Sequence, residues 1–173
     1  MKSPHQRFAG RYRAPAPKRS PLITPQGAAA LKSELDDLWR HQRPVITQAV
    51  REAAALGDRS ENAEYIYGKK MLREMDSRIL YLQRRLDHIK VVQGVPADPN
   101  RVYFGAWVTL MDDHDQQRHY RIVGPDELNP NAGYISIDSP LAMALIGKQL
   151  DDRVELSKLD KAYDIIAIRY TAL

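Results

Sequence analysis

The chain has 173 residues, 43% of them hydrophobic, no cysteine and a formal net charge of +4. Without cysteine there is neither a disulfide framework nor a thiolate metal site, and no segment approaches the run of about eighteen apolar residues that would span a bilayer. Charge is segregated: residues 1–20 carry six Lys/Arg and no acid, residues 21–95 carry twelve bases and ten acids, and residues 96–173 carry eight bases and twelve acids. The basic pI therefore comes mainly from a leader and is weak ground for a nucleic-acid-binding surface. That leader lacks an apolar core, so it is no secretory signal, and a cytoplasmic protein with no membrane association is expected.

Residues 1–20 read as a disordered basic tail. Thr24 then suits a helix N-cap, with Pro25 at the first helical position. From there, Leu31, Leu35, Leu38, Gln42, Val45, Ala49, Glu52 and Leu56 alternate four and three apart, six of the eight being apolar. This predicts a helix from Thr24 to about Leu56, roughly 50 Å long. Pro44 lies inside it and predicts a kink, with the seam continuing in register beyond. Gly57 suits a left-handed helix end. Asp58-Arg59-Ser60-Glu61 reads as a capping box for a second helix, from about Arg59 to Val91. Its seam is Tyr65, Gly68, Leu72, Met75, Ile79, Leu82, Leu86 and Ile89. Two such seams meeting at a short polar turn describe an antiparallel coiled-coil hairpin over residues 21–95.

The linker Val95-Pro96-Ala97-Asp98-Pro99-Asn100 ends helical pattern. Beyond it, Val102–Leu110, Gln117–Val123, Tyr134–Ile137, Arg153–Leu156 and Ile165–Tyr170 are strand-like runs. One short helix is expected, capped by Ser139, opened by Pro140 and ended by Gly147. The fold class is α+β: an N-terminal helical hairpin and, over residues 96–173, a small antiparallel β domain with one helix. Tyr103 and Trp107 are expected in its core.

Chemistry concentrates at the hairpin tip. Asp58 and Glu61 are accounted for by capping alone, worth about 1 kcal/mol. Glu64 and Asn62 add oxygens that capping does not require, and clustered oxygens suit a hard cation such as Mg²⁺. An open tip cannot enclose an ion, so such a site needs ligands from a partner. On the second helix, Lys69, Lys70 and Arg73 share one side. They are either a solvated flank paired with Glu74 and Asp76 or a contact for nucleic-acid phosphate. Arg59 could make the same contact at the tip. His41, His88, His114 and His119 show no metal-ligand spacing.

The tip run from Leu56 to Tyr65, Leu-Gly-Asp-Arg-Ser-Glu-Asn-Ala-Glu-Tyr, resembles the signature of the bacterial Gre transcript-cleavage factors. Ile23-Thr24-Pro25-Gln26-Gly27, the run Leu38–Pro44, Tyr103-Phe104-Gly105-Ala106-Trp107-Val108 and the run Ile135–Ala142 agree, and the whole is similar to the GreB type over about residues 21–171. The resemblance implies a coiled coil and a C-terminal domain of FK506-binding-protein-like fold that docks on RNA polymerase. It implies that the hairpin enters the polymerase secondary channel as a monomeric activator, not an enzyme. Asp58 and Glu61 would be the catalytic and metal-binding residues, helping to hold Mg²⁺ shared with the polymerase active centre, with none held by the isolated protein. Arg59, Lys69, Lys70 and Arg73 would bind the 3′ end of backtracked RNA. Two other readings are a channel-binding inhibitor of the same architecture and a helical-hairpin chaperone or isomerase-like module. Fold alone does not transfer isomerase activity.

Overall fold

The computed structural model describes residues 19–56, 61–156 and 161–170. Residues 1–18 of the basic leader, Asp58 and Arg59 lie outside them, as does the turn glycine Gly57. None of the described helices is long and apolar enough to cross a membrane.

Strand β1 (Leu22–Ile23) leads into helix α1 (Pro25–Asp37), a π-helical segment (Leu38–Gln42) and helix α2 (Arg43–Ala55). The expected start is present: Thr24 is the N-cap, and the Gly27 amide donates to its Oγ1 at 3.0 Å. Helix α3 (Ala63–His88) returns, and β2 (Lys90–Val91) pairs with β1 in parallel. The pairings run in opposite senses along the two arms: Glu34 with Arg78, Arg43 with Asp76, Val50 against Gly68. The hairpin is therefore antiparallel. Its base holds a small core of Ile23, Ala28, Leu31 and Leu82.

The seam does not stay in register across Pro44. Val45 is 68% exposed, and Ala49 and Glu52 are exposed, whereas Ala53 is buried and Ile46 and Val50 are half-buried. Every contact position has moved by one. The cause is the π segment, in which the Arg43 amide donates to Leu38 five residues back. A π turn accommodates one more residue than an α turn, so everything beyond it rotates by about 100°. It sits directly before the proline, whose ring crowds the preceding turn and whose missing N–H cannot complete an α ladder.

The second helix also differs from expectation. It begins at Ala63, capped by Asn62, and not near Arg59 with Asp58 as cap. It ends at His88, because Lys90 and Val91 are drawn into the two-stranded ribbon with β1. The seam from Tyr65 to Ile89 does face inward, with Met75, Ile79 and Leu82 buried.

The C-terminal part is a five-stranded sheet in the order β5-β4-β3-β7-β6. Its strands are β3 (Trp107–Asp112), β4 (Gln117–Val123), β5 (Tyr134–Ser136), β6 (Arg153–Leu156) and β7 (Lys161–Arg169). The sheet is mixed, since β5 runs parallel to β4, a correction to the all-antiparallel expectation. The single helix α4 (Pro140–Leu145) is capped by Ser139 and followed by Gly147 at φ 83°, as its sequence implies. Alternating residues Val108, Leu110, Ile122, Val154, Tyr163 and Ile165 build the core with Ala142 and Leu145 of α4. Tyr103 and Trp107 are not in it. Tyr103 is exposed and precedes β3, which starts only at Trp107; Trp107 points to the opposite face from Val108, as strand alternation requires.

Candidate functional site

Near the far end of the hairpin one side chain bonds to both arms. Asn62 Oδ1 accepts from the Tyr65 amide at 3.1 Å, and its Nδ2 donates to the Ala53 carbonyl at 2.9 Å. One amide thus satisfies an orphan donor at the start of α3 and adds a second donor to the Ala53 carbonyl, which also accepts from the Leu56 amide at 3.2 Å at the end of α2. The Asn62 oxygen is thereby committed to capping, not free as a cation ligand. Glu61 stands just outside the cap. It is exposed, and it makes no hydrogen bond among the described residues. Glu64, in the first turn, is exposed too and sits favourably at the positive end of the helix dipole. Among the described residues no group of three His, Cys, Asp or Glu is placed to hold a metal. Among the described residues the tip therefore offers single, exposed carboxylates.

The cationic flank is where spacing places it. Lys69, Lys70 and Arg73 are all exposed, roughly 10–15 Å along the axis from the start of α3. Lys69 lies 5.3 Å from the Tyr65 ring centroid, and Lys70 reaches Glu74 only at 4.0 Å with both side chains more than two-thirds exposed. Asp76, the other expected partner, belongs to Arg43 across the hairpin at 2.8 Å. Exposed pairs of this kind contribute little stability, so the three cations remain available.

A second feature has no signal in the sequence. The turn after β4 presents two consecutive acids to the hairpin base. Glu127 accepts from the Thr24 amide at 3.0 Å, from the Gly124 amide at 2.9 Å, and from the Thr24 hydroxyl. Asp126 accepts from Arg85 Nε at 2.6 Å and from the Tyr81 hydroxyl. Arg85 also donates to the Ser20 carbonyl at 2.5 Å. Burial, then the hydrogen bond to Asp126, raise the Tyr81 pKa. These contacts tie the lever to the sheet domain across more than forty residues of sequence. Nothing in Gly124-Pro125-Asp126-Glu127 beyond turn chemistry indicates where those carboxylates go.

Comparison with known proteins agrees with this architecture. The family profile described as "Transcription elongation factor, N-terminal" matches residues 21–91, and "Transcription elongation factor, GreA/GreB, C-term" matches residues 97–170. The transcription elongation factor GreB of Pseudomonas aeruginosa is 61% identical over 92% of this chain and 96% of its own length. That of Yersinia pestis is 54% identical over 88% and 90% respectively. Among solved structures, the Gfh1 protein of Thermus thermophilus aligns over 87% of this chain and 99% of its own, at 22% identity and a TM-score of 0.41. With both arms of the hairpin and the sheet domain covered by the two profiles, and relatives matched nearly end to end, the chain belongs to the GreA/GreB family of transcription elongation factors.

Proposed function

We propose that this cytoplasmic factor inserts its hairpin into the secondary channel of RNA polymerase and presents Asp58 and Glu61 to the polymerase active centre, where they stimulate hydrolysis of backtracked RNA. The observation that carries this reading is the division of labour at the tip. Asn62 closes the helix, so Glu61 is not needed for it. An exposed carboxylate with no structural duty at the end of a helical lever suits a site completed elsewhere. Asp58 and Glu61 would hold one face of a Mg²⁺ ion, with polymerase groups and water supplying the rest. When bound, that ion would help generate hydroxide and stabilise the in-line displacement. Lys69, Lys70 and Arg73, with Arg59, would hold the phosphates of the extruded 3′ end and keep its scissile bond near the acids. The hairpin itself contributes position: a group misplaced by about 1 Å loses much of its effect.

The test is RNA cleavage by a stalled, backtracked polymerase complex with wild-type protein, Asp58→Asn and Glu61→Gln. Both substitutions remove charge and keep hydrogen-bonding shape. Both variants are expected to melt like the wild type, to bind polymerase with little loss, and to lose stimulation, with partial recovery at high Mg²⁺ by mass action. Full stimulation by either variant at ordinary Mg²⁺ overturns the assignment.

A further inference from the structure

The two hydrophobic clusters of the molecule share no residue. One lies at the hairpin base, around Ile23, Leu31 and Leu82, and the apolar residues packed on it all belong to the hairpin. The other lies between the sheet and α4, and the apolar residues packed on it all follow Arg101. Among the described residues, neither cluster draws a side chain from the other body. The angle between hairpin and sheet therefore rests on polar contacts, whose geometry is directional where apolar burial is not.

Those contacts converge on one turn. Ile122 and Val123, fully buried in β4, lead directly into Gly124, and the Glu127 amide donates back to the Gly124 carbonyl at 3.1 Å. The turn lies hard against β1: a Cβ on Gly124 would stand 2.4 Å from the Leu22 carbonyl oxygen. From this turn, adjacent acids reach different arms. Glu127 accepts from the amide and the hydroxyl of Thr24, which caps α1 and is 1% exposed. Asp126, with its side chain 6% exposed, accepts from Arg85 and Tyr81, one turn apart on α3. Ser20 adds an exposed bond to Asp138 at 2.9 Å.

A single contact would leave the hairpin free to pivot, whereas two on separate arms remove that freedom. Apolar packing would hold such a junction at least as tightly, because desolvation offsets the attraction of a buried ion pair. The demand on its angle is nevertheless severe. Arg85 and Ala63 lie about 33 Å apart along α3, so a tilt of about 2° moves the far end by about 1 Å, and one of about 10° moves it by about 6 Å. Glu61 stands just beyond that end, and a misplacement of about 1 Å is enough to cost a positioned group much of its effect.

We propose that Asp126 and Glu127 are positioning residues for transcript cleavage: they fix the angle of the hairpin on the sheet domain, and through it the place of Glu61. The cleavage step rests on the function proposed above; the fixed angle does not. The full chain has no cysteine, so Arg51→Cys on α2 and Gln117→Cys on β4, both exposed, take one spin label each. Pulsed electron–electron double resonance then reads the distance between hairpin and sheet. In Asp126→Ala/Glu127→Ala this distance is expected to shift or spread by about 6 Å or more, with circular dichroism still native. With backtracked polymerase complexes, the same unlabelled variant is expected to lose about tenfold or more of the saturated cleavage rate, while its half-saturating concentration moves by less than about threefold.

A merely structural role lowers the melting temperature and moves neither the distance nor the saturated rate of folded protein. Asp126→Asn keeps shape and removes the charge that Arg85 meets, so it decides the matter by the same two readouts if the double variant does not fold. A folded variant with the wild-type distance distribution overturns the fixed angle. A displaced hairpin with full saturated cleavage overturns the positioning role. If the wild type stimulates no cleavage, the channel reading falls and the cleavage role with it, while the label distance still decides the angle.

Discussion

The side-chain amide of Asn62 joins the two arms of the hairpin by donating to the Ala53 carbonyl at 2.9 Å while its oxygen caps α3. The two bonds can be separated by substitution. Asn62→Asp keeps the cap and loses the donor; Asn62→Ala loses both. Asn62→Ala is expected to cost about 1–3 kcal/mol and Asn62→Asp about 0.5–1.5 kcal/mol, read from urea unfolding followed by circular dichroism. Equal losses for both would show that the cross-arm bond, and not the cap, carries the contribution.

Removing the cationic flank should act through RNA and not through folding. The triple change of Lys69, Lys70 and Arg73 to Ala is expected to leave the melting temperature within a few degrees of the wild type, because these side chains are exposed and weakly paired. Cleavage of long backtracked RNA should fall more than that of short RNA, and the defect should shrink at low salt, where the remaining phosphate contacts strengthen. A uniform loss at every length and salt would point to a damaged hairpin.

Gly27 has no room for a side chain. A Cβ there would stand 2.3 Å from the Glu127 carboxyl carbon, so Gly27→Ala must displace the carboxylate that accepts from Thr24. The substitution is expected to cost about 1–3 kcal/mol despite better helix propensity. Adding Glu127→Ala relieves the clash, so the double variant should lose less than the sum of the singles. Additive losses in a thermal-unfolding cycle would mean the two residues do not interact.

The junction should weaken in alkali. Burial and the Asp126 bond raise the Tyr81 pKa, and burial raises that of Tyr170, whose hydroxyl donates to the Arg101 carbonyl at 2.6 Å. A tyrosine whose folded pKa exceeds its unfolded value holds its proton more tightly when folded. The stability it contributes is complete below the ordinary value near 10 and is lost as pH rises through the folded pKa. Ultraviolet titration should place Tyr81 and Tyr170 among the late-ionising tyrosines, and Tyr81→Phe should remove one. Its melting curve should also depend less on pH above about 10. An unchanged count of late tyrosines in Tyr81→Phe would contradict this.

Much of the molecule was legible from spacing and caps. Thr24-Pro25 marked the start of the first helix, the seam from Tyr65 to Ile89 gave the buried face of the second, and Ser139-Pro140 with Gly147 bounded the short helix. These are local rules: each depends on neighbours within one or two turns, which a sequence displays directly. The exposure of Glu61, Lys69, Lys70 and Arg73 was legible for the same reason. Tertiary structure decided what local rules leave degenerate. Whether Pro44 kinks or is absorbed by a π turn depends on which residues the opposite arm will accept, and Val50 against Gly68 settles a one-residue shift. Asp58 and Asn62 are both good N-caps by type; the additional bond that Asn62 donates to the Ala53 carbonyl on the other arm favours Asn62. The anchoring of Asp126 and Glu127 to residues some forty and one hundred positions away, and the burial of Arg121 between two rings, arise from long-range pairing. Local propensity is silent there, because a carboxylate or a guanidinium reads as surface until packing brings its partner to it.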